Sequence, residues 1–161
     1  MTLRSQFIAV VSDREKETRG VVKSTDVLKY SLNNEIWCLY KGTQLNNHVK
    51  PGSRLVFYCG GRTKLMKGFY ASATVSKLSV NVSSSDLARM NDLDLWYYNI
   101  PSTKLELVDI KLFNKPVDIN SVLDKVSIFK SKKNKWWYQL QGGLCSISPS
   151  DYKNILKMTS S

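Results

Sequence analysis

The sequence predicts an α+β fold: a twisted, barrel-like mixed sheet of about six strands, with short helices packed at its ends. Three observations point there. Short apolar, β-branched runs recur along the chain, as in "QFIAVV" and "RLVFYC". Turns rich in Gly and Pro separate them at hairpin distances. No βαβ spacing recurs, so a doubly wound parallel sheet is not expected.

Taken in order, residues 6–11, "QFIAVV", read as a buried strand. Residues 12–15, "SDRE", fit a capping box and open a charged, helical segment that Gly20 interrupts. Residues 21–30 read either as a further helix or as an irregular connection. Residues 35–40, "EIWCLY", are the next apolar cluster. Lys50-Pro51-Gly52 is a turn, with Pro at its second position and Gly at its third. It launches a strand over residues 54–59, and Gly60-Gly61 turns the chain toward an antiparallel return over 68–75.

Ser83-Ser84-Ser85-Asp86 caps a short helix running to Asn91. Residues 103–113, "TKLELVDIKLF", alternate polar and apolar but slip once, at Val108–Asp109, which predicts a long strand with a bulge. Residues 118–125 supply a helical turn or two. Residues 136–140 and 144–147 read as a hairpin around Gly142-Gly143. Ser148-Pro149-Ser150-Asp151 then caps a closing helix.

The 161 residues suit one domain, taken here as the whole chain. At that length the core needs no disulfide or metal staple. Lys and Arg number 24 against 13 Asp and Glu, a formal charge of +11. Such an excess draws in polyanions, so RNA or DNA is the leading partner, with an anionic membrane surface second. No apolar run is long enough for a signal-peptide core or a transmembrane helix. Cys38, Cys59 and Cys145 lie far apart, as reduced thiols do. A cytoplasmic monomer is expected, the nucleus not being excluded.

Catalytic chemistry finds little footing. The chain has 1 histidine, His48, and no close Cys pair, so a zinc site of ordinary spacing is not available. A Cys–His nucleophile would need His48 to meet one of the three thiols. No P-loop, nucleophile elbow or dinucleotide glycine pattern is present, and no cofactor is implied. Gly60-Gly61 and Gly142-Gly143 read as turns rather than phosphate cradles.

Aromatic and cationic residues coincide instead. Trp37 precedes Tyr40-Lys41, Trp96-Tyr97-Tyr98 precedes the Pro101 turn, and Trp136-Trp137-Tyr138 follows "KSKKNK". Nucleobases stack on Trp and Tyr while Lys and Arg hold phosphates. The plain alternative is that these rings are core and the lysine run is a solvated turn. Of Trp136 and Trp137, one should face inward and the other stay half exposed.

The ordered motifs "IWCLYKG", "VKPGSRLVFYCGG", "GFYASATV", "FKSKKNKWWYQLQGG" and "ISPSDYKNIL" resemble the EVE domains of the PUA-like superfamily, relatives of YTH and ASCH domains. Ser53 stands where the family's turn usually carries Asp. The resemblance implies a PUA-like barrel that captures a methylated or flipped base in an aromatic pocket at one end. It puts Trp37 and Trp96 at the cage positions, with Tyr40 or Tyr97 as a third wall. Lys41, Lys50, Arg54, Arg62 and Lys64 would then contact the flanking phosphates. Three other functions stay open on the residues: a general single-strand RNA or DNA binder without a base pocket, an ASCH-like base- or RNA-processing enzyme, and a protein-interaction module whose positive charge is incidental.

Overall fold

The computed structural model describes residues 5–16, 20–40, 48–61, 66–80, 101–130 and 133–159. Its strands are β1 (Gln6–Val11), β2 (Arg14–Lys16), β3 (Gly20–Val22), β4 (Ile36–Tyr40), β5 (Arg54–Cys59), β6 (Gly68–Ser79), β7 (Pro101–Asp118) and β8 (Leu144–Ile147). Helices α1 (Ser24–Asn33), α2 (Ile119–Val122), α3 (Ser127–Lys130) and α4 (Pro149–Lys157) are joined by a 3-10 helix over Lys133–Leu140. Six strands make one mixed sheet in the order β4-β7-β6-β5-β1-β8, curled into a half-barrel. Within it β1 and β5 run parallel, and the other neighbours are antiparallel.

The central strands are buried on both faces, which is why they read as unbroken apolar runs. Alternation sends Phe7, Ala9 and Val11 of β1, with Leu55, Phe57 and Cys59 of β5, into one core. Helix α1 covers that core through Val27, Leu28 and Leu32. The intervening Ile8, Val56 and Tyr58 enter a second core on the opposite face, roofed by Ile119, Val122, Phe129, Tyr152 and Ile155. Two small cores back to back share one sheet.

Local signals explain the turns and caps. Ser53 N–H donates to the Lys50 carbonyl at 2.9 Å, and Gly52 takes φ +94°, a left-handed value suited to glycine. The Ser53 hydroxyl accepts from Lys50 N–H at 3.0 Å, so serine does here what a short acid does in such turns. In β7 the slip falls as expected: Ser72 pairs Lys111 and Thr74 pairs Val108, with Asp109 at φ +52° in the extra length. Ser148 caps α4 by accepting from Asp151 N–H at 3.0 Å, with Pro149 opening the helix.

Two expectations are corrected. Residues 12–16 do not open a helix, because Arg14–Lys16 pairs antiparallel with Gly20–Val22 as a separate two-stranded ribbon. Asp13, inside the supposed capping box, serves another helix: its carboxylate accepts from Ser24 N–H at 2.9 Å, at the start of α1. Nor do residues 136–147 form a hairpin. The 3-10 helix takes the first half, while β8 completes the sheet edge against β1. The expected helix over 83–91 lies outside the described residues.

Candidate nucleic-acid interface

Among the described residues, strand β4 sits at the edge of the sheet, paired with β7, with Ile36 opposite Glu106 and Tyr40 opposite Pro101. Its alternation turns Trp37 and Leu39 into the α1-side core. The Trp37 ring meets Phe57 edge-on, centroids 5.1 Å apart, and only 6% of the residue is exposed. An indole so enclosed presents no open face to a base, which corrects its expected place as an accessible cage wall. Its aromatic neighbour on β5 holds it as a core ring.

The phosphate-contact set divides. Lys50 is exposed on its turn, and the preceding Val49 belongs to the same core as Trp37, so Lys50 stands at that core's rim. Arg54 is corrected. Leu55 and Phe57 face the Trp37 core, so Arg54 faces the other side of β5. Its charge is felt by Tyr152 of α4, where it works against the burial that raises the Tyr152 phenol. Tyr40 is described as backbone only. Trp96, Tyr97, Lys41, Arg62 and Lys64 lie outside the described residues.

Gly60-Gly61 is no anion cradle. Gly61 has φ +117°, and a Cβ there would collide with the Asp13 carboxylate. The Gly60 carbonyl accepts from the buried Ser24 hydroxyl at 2.7 Å. A carboxylate packed against this turn repels phosphate.

The three thiols are all buried. Burial pushes Cys59 up to about 12, opposed by a Ser24 hydrogen bond and aided by Asp13. Burial, with the nearby Asp151 charge, pushes Cys145 up to about 11. Neither is a nucleophile at neutral pH, since the thiolate is the reactive form. His48 is exposed in its loop, away from such enclosure. Among the described residues no cluster of three or more His, Cys, Asp or Glu could hold a metal. Among them, too, no helix is long and apolar enough to cross a membrane.

Pattern reading of the chain missed a groove on the helical side, about 840 Å³, between the end of β7, α2 and α4. Four lysines line it: Lys115, Lys125, Lys130 and Lys157. They are spread through the sequence and meet only when α2–α4 fold onto the sheet, so no local motif announces them.

A curled six-strand mixed sheet with short helices at its ends is consistent with a PUA-like α+β fold. Human THYN1, solved in complex with 5-methylcytosine-containing DNA, is similar over 98% of this chain and 98% of its own, with TM-score 0.61 and 10% identity. A hypothetical protein from Leishmania major matches over 98% and 96%, with TM-score 0.59 and 15% identity. ASCH from Zymomonas mobilis matches over 94% of both chains, with TM-score 0.54 and 12% identity. At these identities the shared property is the fold. No family model matches the sequence, and no curated protein matches it either.

Proposed function

We propose that this protein is a non-catalytic nucleic-acid-binding module that works in the cytoplasm. The observation that carries the reading is a formal charge of +11 on a PUA-like fold. A neighbour in fold over 98% of this chain, human THYN1, is a DNA complex. A cationic surface of this size concentrates phosphodiester chains, and its affinity falls steeply with salt.

The finer part of the proposal is capture of a methylated or flipped base in an aromatic pocket at the β4 end. Connectivity supports it: β4 ends at Tyr40, whose register partner is Pro101, and the sequence Trp96-Tyr97-Tyr98 runs into Pro101. Tyr40, Trp96 and Tyr97 are the stacking candidates, with Lys41, Lys50, Arg62 and Lys64 on flanking phosphates. Trp37 backs the pocket from within the core. The buried, high-pKa thiols favour binding over a processing enzyme.

Fluorescence anisotropy with methylated and unmodified DNA and RNA oligonucleotides tests both levels. Binding that weakens with salt supports the module, and a preference for the methylated strand lost in Trp96→Ala supports the pocket. Absence of binding to every oligonucleotide at low salt overturns the reading, and equal affinity for all strands overturns the base pocket alone.

A further inference from the structure

The helical side of the sheet carries a lysine-lined groove at the end of β7 and two exposed aromatic rings on the 3-10 helix. The groove there has four lysines on its walls against Asp118 and Asp124. The Asp118 carboxylate is turned to its own helix, accepting from Asn120 N–H at 2.9 Å. Lys115, Lys125 and Lys130 are exposed.

Three residues beyond Lys130 the 3-10 helix begins, and it sorts its aromatics. Trp136 turns inward, its ring 6.2 Å from Tyr58 and packed against the second core. Trp137 and Tyr138 stay outside, 43% and 48% exposed, with ring centroids 4.1 Å apart and tilted by 33°. Lys135 Nζ stands 5.7 Å from the Tyr138 ring centroid. Helix α3, which ends at Lys130, packs against this 3-10 helix. Seven residues separate Lys130 from Trp137 in sequence, so their Cα atoms are at most about 25 Å apart, a span of a few nucleotides.

We infer that this face is a second nucleic-acid surface, taking unpaired strand: sugar–phosphate in the lysine groove and a base on the Trp137–Tyr138 step. Exposed paired rings offer a π-face to an unpaired base but not to a base inside a duplex, and the lysines supply the sequence-independent phosphate contacts. A fully buried core would have no use for two neighbouring rings left half open to water. The inference rests on the nucleic-acid reading above and adds to it a strand-binding face on the side of the sheet opposite the Trp37 core.

The test is anisotropy with a labelled oligothymidylate of about 15 nucleotides and a duplex of the same length. It compares the wild-type chain, Trp137→Ala, and the triple variant Lys115→Gln/Lys125→Gln/Lys130→Gln, from about 50 to 200 mM salt. All these positions are exposed, and circular dichroism checks that each variant is folded. The triple variant is expected to bind the single strand about tenfold more weakly, its log–log salt slope smaller by about 2. Trp137→Ala is expected to lose roughly tenfold on the single strand and little on the duplex. Single-strand affinity and salt slope unchanged in both variants, while the wild type binds, would overturn this inference and leave the module standing. A wild type that binds neither probe overturns both.

Discussion

Trp37 and Trp137 present the same side chain to opposite fates. Trp37 lies on an edge strand next to a cationic turn, yet its ring is closed into the α1-side core against Phe57. Trp137 follows a lysine-rich run and stays half exposed on the helical side. Residue type is the same and cations lie near both, so neither feature distinguishes a stacking ring from a core ring. Strand parity and the presence of a covering helix do. On β4 the alternation gives Trp37 to the buried face, whereas the 3-10 helix has room inside for only one of its two indoles, Trp136.

The contrast is broken or sharpened most strongly by Trp37→Ala. Removing a buried indole should lower stability by about 3–5 kcal/mol in urea denaturation. Trp137→Ala should change it by less than about 0.5 kcal/mol. Similar losses at the two sites would show that exposure does not separate them.

Next comes Asp151, a buried carboxylate 3% exposed that joins α4 to α3. It accepts from Ser127 N–H at 2.9 Å and from the Ser127 hydroxyl at 2.5 Å. Asp151→Ala orphans both donors and should cost about 2–3 kcal/mol. Because α3 borders the lysine groove and leads into the aromatic step, single-strand binding should weaken with it. A stability loss near zero would mean that this pair does not hold the helical roof.

The two cores also predict an alkaline limit. Folded Cys59 and Cys145 hold their protons to about 12 and about 11, against an ordinary 9.0. Burial, then the Cys59 and Asp118 charges, raises Tyr58 to about 12 from 10.0. Between pH 9 and 12 the unfolded chain therefore binds fewer protons than the folded one, so stability falls as pH rises through that window. Urea midpoints measured at about pH 8, 9.5 and 10.5 should decline steadily, and a flat series would contradict the burial of these groups.

The smallest effect is spectroscopic. Acrylamide should quench the Trp137 contribution, so Trp137→Phe lowers the accessible fraction of the emission while leaving the enclosed Trp37 signal in place. An unchanged accessible fraction would place Trp137 inside.

Much of the fold was legible because its signals are local. The runs in β1 and β5, the Lys50–Ser53 turn, the slip in β7 and the Ser148 cap each depend on residues within a few positions of one another. The capping-box pattern at residues 12–15 was equally clear and did not hold, because Asp13 found Ser24 and the next three residues found a strand partner. Of the proposed site, the sequence named Lys50 and Arg54 together as phosphate contacts, but the face of β5 that carries Arg54 is set by the register of the whole sheet.

From residues alone came the class of fold, its turns, and a cationic chain suited to polyanions. Which rings stay wet, which cations share a groove, and which side of the sheet each faces were settled by folding. The reason is physical: side-chain alternation and charge are properties of the chain, but burial depends on what a distant segment lays over it. Lys115 and Lys157 become neighbours around one groove only through α4 closing on β7.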